Sequence, residues 1–158
     1  MLVQTVADLS GVAEVTAPAV VLADMSPKTD GIPNTWWQLY GIESPDRVAA
    51  MDFDRDEISN AMEYFMGLDP TLDDATGAIR QHIAGDSVLF EYRRSKDIDG
   101  ITGTVKWSTA PGTGAGWSSD SVSDVFLLDE GSYERRRATV PWSFNQGDLF
   151  LRIDLTIE

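Results

Sequence analysis

The chain has no cysteine, and that absence removes disulfides, thiolate zinc sites, iron–sulfur clusters and cysteine nucleophiles together. Histidine is nearly missing as well: His82 stands alone, no G-x-S-x-G elbow accompanies it, and it reads as a structural or surface residue. The phosphate cradle G-x-x-x-x-G-K-[ST] does not occur. Basic residues are scarce, with 12 Lys and Arg against 26 Asp and Glu, for a net charge of −14. Such a balance argues against nucleic acid and anionic lipid as partners and fits a protein that collects cations. No apolar run is long enough to span a membrane, so membrane insertion is not expected. The first 23 residues carry Asp8 and Glu14 and no Lys or Arg, so they lack the basic start of an export signal; a secreted protein of this sequence is expected to have lost its leader.

What is present is a patterned acidic stretch, Asp52-Phe53-Asp54-Arg55-Asp56-Glu57-Ile58-Ser59-Asn60-Ala61-Met62-Glu63. With Asp52 as position one, carboxylates fall at one, three and five, the Ile58 carbonyl at seven, Asn60 at nine and Glu63 at twelve, the offsets of an EF-hand-type loop. Calcium is a hard cation that takes about six to eight oxygens, and this spacing wraps three Asp side chains, one carbonyl and a bidentate Glu around one point. A solvated acidic run ahead of a helix is the plainer reading, but it requires neither strict alternation nor an acid at position twelve. The predicted metal ligands are therefore Asp52, Asp54, Asp56, Ile58, Asn60 and Glu63, with Ca²⁺ as the ion. In a protein without disulfides, a structural cation can serve as the staple.

Residues 1–25 form an apolar, β-branched arm in which Ala13, Val15, Ala17, Ala19 and Val21 alternate with Glu14, Thr16 and Pro18. It reads as an extended edge strand, because proline cannot donate a ladder hydrogen bond. A polar linker leads to Asp30-Gly31-Ile32-Pro33-Asn34-Thr35-Trp36-Trp37, which repeats the second half of the loop pattern without the first. Asp30, Asn34 and Asp69 are candidates for a second, incomplete cation site. Trp36 and Trp37 are expected to pack in the core. Ser44 to Met51 opens with an N-cap residue and Pro45 at the first helical position, predicting a short helix entering the loop. Ser59 to Met66 predicts the exiting helix, stopped by Gly67.

From Ile79 the hydrophobic period falls to two. Ser87 to Arg94, Ile101 to Thr109, Val122 to Leu128, Tyr133 to Pro141 and Leu149 to Ile157 read as strands. The expected architecture is mainly β with a small α-helical calcium-binding insert: an antiparallel β-sandwich, immunoglobulin-like or jelly-roll-like, plus a helix-loop-helix calcium module. The expected division is an arm at 1–25, a calcium module at 26–76 and a sandwich at 77–158. Arg93 and Arg94, with Arg135, Arg136 and Arg137, are the only basic clusters, read as paired charges on strand faces or as a docking patch for an acidic surface of another copy.

The segment from Asp30 to Asp74 resembles the thrombospondin type 3-like calcium module of large secreted bacterial proteins. Its opening Asp-Gly-Ile-Pro-Asn-x-Trp-Trp, its loop ending Ile-Ser-Asn-x-x-Glu-Tyr and its closing Gly-x-Asp-Pro carry the likeness. The stretches Phe90 to Arg94, Val105 to Thr109, Trp117-Ser118 and Phe150 to Ile153 are similar to the β-rich domain that ends many of those proteins. The resemblance implies an extracellular or cell-surface location, bound calcium and no catalysis. It departs at loop positions four and six, where the family has Gly and this chain has Arg55 and Glu57. The functional expectation is an extracellular calcium-stabilised structural protein, a subunit of a fibre built by N-terminal strand donation to other copies. Val12, Val15, Val20, Val21 and Leu22 are its expected subunit contacts. The alternative is a carbohydrate-binding or anchoring module of a secreted multidomain protein, displaying Trp107, Trp117 or Trp142.

Overall fold

The computed structural model describes residues 27–113, 116–142 and 147–158; the arm of residues 1–25, with Val12, Val15, Val20, Val21 and Leu22, lies outside the described residues. Within them the protein is mainly β, with antiparallel sheets and two short helices. Strands β1 (Lys28–Thr29) and β2 (Ile32–Pro33) form a minimal hairpin ahead of helix α1 (Asn34–Leu39), and helix α2 (Asn60–Met66) follows the acidic loop. Six longer strands complete the chain: β3 (Ile79–Ala84), β4 (Ser87–Ser95), β5 (Ile101–Ser108), β6 (Ser123–Asp129), β7 (Tyr133–Pro141) and β8 (Phe150–Ile157). Four of them pair in the order β3-β4-β7-β6, and β5 pairs with β8. The five strands expected from period-two alternation all form, their ends within about two residues of the prediction, and β3 joins them.

Helix α2 starts and stops where its residues dictate. Ser59 is extended at the N-cap, and Gly67 adopts the left-handed conformation, φ 67° and ψ 45°, that ends a helix at low steric cost. The entering helix expected over Ser44 to Met51 does not form. Donors there bond two or three residues back, Asp46 N–H to Glu43 O and Val48 N–H to Asp46 O, both at 2.8 Å. The last carbonyls of the stretch are held by the start of α2: Asn60 Nδ2 donates to Val48 O at 2.8 Å, Ala61 N–H to Ala49 O at 2.9 Å and Asn60 N–H to Met51 O at 2.7 Å. Tertiary bonds to the start of α2 thus override a good local capping signal. Helix α1 occupies the stretch read as a half loop.

One apolar cluster joins both helices to β2, β4, β5, β7 and β8. It joins Ile32, Trp37 and Ile42 to Tyr64, Phe65 and Met66 of α2, to Phe90, Tyr92 and Ala138 of the four-stranded sheet, and to Ile101, Val105 and Ile153 of the β5–β8 ladder. Trp37 is fully buried, as expected, and its indole donates to Thr29 O at 3.2 Å. Phe65 is the hinge-pin: its ring stacks on Tyr92 with centroids 6.2 Å apart and covers Gly103 so closely that a Cβ there would lie 2.4 Å from Phe65 Cζ.

The basic clusters are consumed within the sheet. Arg137 grips Glu91 at 2.7 and 3.0 Å, Arg136 bonds Asp124 and Glu134 at 2.9 Å, and Arg135 bonds Glu130 at 2.8 Å and Gly77 O at 3.1 Å. Arg93 lies over the Tyr133 ring at 3.6 Å and donates to Gly67 O at 2.9 Å. Cross-strand charge pairs of this kind fix register more than they add stability.

Candidate metal centre

The loop between Met51 and Ser59 is shaped by its own aspartates. Asp52 accepts from Arg55 N–H through Oδ1 at 2.6 Å and from Glu57 N–H through Oδ2 at 2.9 Å. Asp54 Oδ1 accepts from Asp56 N–H at 3.2 Å, and Asp56 Oδ1 from Ile58 N–H at 2.8 Å. Short Asp side chains bonding amides two to five residues ahead coil the chain tightly, which turns alternate carboxylates toward one point. Arg55 and Glu57 hold φ of 72° and 77°, left-handed values that cost a side-chain-bearing residue about 1–2 kcal/mol each. These are loop positions four and six, so the backbone that glycine adopts freely is imposed here on Arg and Glu. Glu57→Gly is expected to raise stability by about 1 kcal/mol, read as a higher urea midpoint at unchanged slope.

Asp52, Asp54 and Asp56 bring one carboxylate oxygen each within 4.8 Å of one another. Glu63 approaches from α2. It is completely buried, and neither of its carboxylate oxygens has a hydrogen-bond partner. Asp54 Oδ2, Asp56 Oδ2, Asn60 Oδ1 and Asp74 Oδ1 are likewise buried and unpartnered. Unsatisfied buried oxygens are rare, and each costs about 1–3 kcal/mol, more when charged. Of the seven such side-chain atoms among the described residues, six are these oxygens; the other is Arg93 Nε.

Electrostatics tells the same story. Burial, reinforced by Asp54, Asp56, Asp74 and Asp52, pushes the Glu63 carboxyl up to about 8. Asp54 is raised by burial, with Asp56 and Asp52 adding to it. Asp74 is raised by burial and then by Asp69 and Asp56, against the Asp69 N–H and Arg93, which lower it. Like charges forced together in a dry pocket disfavour ionisation unless a cation joins them. The donor set is all oxygen and mostly carboxylate, which selects a hard cation over zinc or copper.

Asp74 is absent from the ligand set read from the sequence. It lies eleven residues beyond Glu63, on the turn after α2, held by Asp69 N–H donating to its Oδ2 at 3.4 Å. No fixed loop offset points to it; the only sequence signal is the acid pair Asp73-Asp74 in a capped turn.

The residues of the expected second site have other partners. Asp30 Oδ2 accepts from Ala49 N–H at 2.7 Å, Asn34 Oδ1 from the Thr29 hydroxyl at 2.6 Å, and Asp69 Oδ1 from Thr71 N–H at 3.0 Å and its hydroxyl at 2.6 Å. The charge of Asp69 acts on Asp74 and Tyr40, which puts it beside the main cluster. His82 is exposed on β3. Asp99, Asp129 and Glu130 each hold an ion pair, with Lys28 at 2.8 Å, Lys96 at 2.5 Å and Arg135 at 2.8 Å. Trp142 is buried, Trp107 donates its indole to Asp120 O at 3.1 Å, and the Trp117 ring lies under the Arg152 guanidinium at 4.1 Å.

Comparison of the chain with family models, with curated proteins and with solved structures finds no match.

Proposed function

We propose that this is a calcium-stapled structural protein that works outside the cell. The observation that supports it is the set of buried, unpartnered oxygens on Asp54, Asp56, Asn60, Glu63 and Asp74 around the Asp52-Asp54-Asp56 triad. One Ca²⁺ there satisfies them, with Ile58 supplying the position-seven carbonyl and Asp74 closing the shell from beyond α2. Asp30, Asn34 and Asp69 then serve the fold around that ion. The module is thrombospondin type 3-like in this reading. The β3-β4-β7-β6 sheet and the β5–β8 ladder are the two layers of a sandwich, and α2 bolts module to sandwich through Phe65.

The role is mechanical. Asp99, Asp129 and Glu130 are engaged in ion pairs, and the three tryptophans named for sugar binding are packed or capped within the protein, so neither catalysis nor sugar binding is invoked. The protein is a subunit of an extracellular fibre in which the N-terminal arm, through Val12, Val15, Val20, Val21 and Leu22, completes the β fold of a neighbouring copy.

Calcium at about 1 mM, acting on a site of dissociation constant about 10⁻⁴ M, stabilises the fold by about 1.4 kcal/mol. Thermal melts should therefore drop by about 3–6 °C on adding chelator. The Asp54→Ala, Glu63→Ala double variant should show no chelator response; a parent protein that also shows none would sink the metal reading. Electron microscopy tests assembly separately. Deletion of residues 1–23 should abolish fibres, and particles of unchanged size and shape would remove the strand-donation part.

A further inference from the structure

The β3-β4-β7-β6 sheet and the β5–β8 ladder leave two openings where their edge strands approach. One is lined by polar groups of β4, β6 and β7, where Tyr92 donates its hydroxyl to Asp124 Oδ2 at 2.5 Å and Arg136 bonds Asp124 Oδ1 at 2.9 Å. The other, between β3 and β8, is an open groove of about 430 Å³ that runs on into a second of about 570 Å³, Gln81 and Leu151 belonging to both. Its lining mixes apolar side chains that reach the core with Glu57, Ser59, Gln81, His82, Asp148 and Arg152. Met66, Phe90 and Ile153 are core residues, while Ile79 and Ile83 on β3 are 40% and 56% exposed. Each flanking strand is an edge, since β3 pairs with β4 and β8 with β5 and neither pairs further among the described residues. Two unpaired backbones beside an apolar floor are what an added strand needs.

We infer that in the unassembled subunit this groove takes residues 13–21 of the same chain as an extra strand, the place a neighbour's arm takes in the fibre. The inference rests on the strand-completion part of the proposed function and specifies its acceptor. Where the described chain begins supports it. Lys28 pairs with Asp99 at 2.8 Å and Gly31 abuts Ile157, so the arm departs from the C-terminal end of β8. From there to Ile153 is four residues of strand, about 13 Å, and residues 22–26 reach about 17 Å.

Direction agrees as well. Ile83 and Leu149 line one part of the groove and Ile79 and Ile153 the other, so β3 and β8 run in opposite senses. An arm laid back from Pro27 is then antiparallel to β3, the sense of every ladder among the described residues. Ala13, Val15, Ala17, Ala19 and Val21 offer small apolar side chains on one face. Pro18 has no N–H, so the odd-numbered residues bond β3 and the even-numbered ones face away. A tethered arm acts at an effective concentration in the millimolar range, which no free copy matches in dilute solution.

The absence of cysteine makes the test clean. Ile83→Cys is combined in turn with Val15→Cys, Ala17→Cys, Ala19→Cys and, as control, Thr16→Cys, and the full-length chain is oxidised at about 1 μM. One odd-numbered pair should close at least tenfold faster than the control, as a monomeric species whose rate does not depend on dilution. No pair exceeding the control, or disulfides only between chains, overturns the inference. Interchain disulfides alone would leave fibre donation standing, whereas a monomeric crosslink in a protein that forms no fibres keeps this assignment and removes the fibre.

Discussion

At pH 8.5 in chelator, Glu63→Gln should melt higher than the parent, and the gap should narrow as calcium is added. The reason is the position of Glu63, fully buried with both oxygens unpartnered, its carboxyl raised from 4.5 to about 8 by burial and the surrounding aspartates. A carboxyl whose folded value lies above its unfolded value contributes stability that is complete below about pH 4.5 and is lost as pH rises through about 8. Over that window the metal-free fold forfeits on the order of 4–5 kcal/mol at most, and Asp54 and Asp74, shifted in the same direction, add to the loss.

Glutamine keeps the shape without the charge, so its advantage in chelator should be on the order of 2–4 kcal/mol at pH 8.5 and fade as pH falls below about 4.5. Added calcium should stabilise the parent, which offers two charged oxygens, and leave the variant where it was. A variant less stable than the parent in chelator at pH 8.5 would show that Glu63 is not held against its neighbours' charge.

Phe65→Ala should cost about 3–5 kcal/mol, the range for removing a buried ring. Phe65 is 1% exposed, stacks on Tyr92 and closes over Gly103, so one side chain connects α2 to both groups of strands. Gly103→Ala is the converse test, an overpacking change expected to cost about 1–3 kcal/mol. Since module and strands share one apolar cluster, far-UV and near-UV signals should melt together in both variants and in the parent. Separate transitions would mean that the loop region and the strands fold as independent units.

Legibility in the sequence followed the physics of each element. The strands β4, β7 and β8 and the limits of α2 were readable because alternation, Ser59 and Gly67 act locally. The loop was readable because each aspartate bonds an amide two to five residues ahead, so its geometry is written in its spacing. The false helix at Ser44 to Met51 and the unforeseen α1 mark where local signals lose: Val48, Ala49 and Met51 give their carbonyls to α2, and α1 is fixed by Trp37 entering the core. Asp74 escaped notice for a related reason. It reaches the acidic cluster through the turn after Gly67, and only the folded chain brings Asp74 and Asp56 within electrostatic range. Arg55 and Glu57 are the opposite case, residues that look wrong for their positions and nevertheless adopt the left-handed backbone, which identifies the loop as strained.

The central claim is that Asp54, Asp56, Glu63 and Asp74 converge to bind a divalent cation, and calorimetric titration of metal-free protein with calcium at pH 7, in two buffers of different ionisation enthalpy, tests it most directly. With Glu63 at about 8, binding must displace its proton. The predicted result is one ion bound with a dissociation constant near 10⁻⁴ M and release of about one proton. No binding heat in either buffer, or binding with no proton released, would contradict the account.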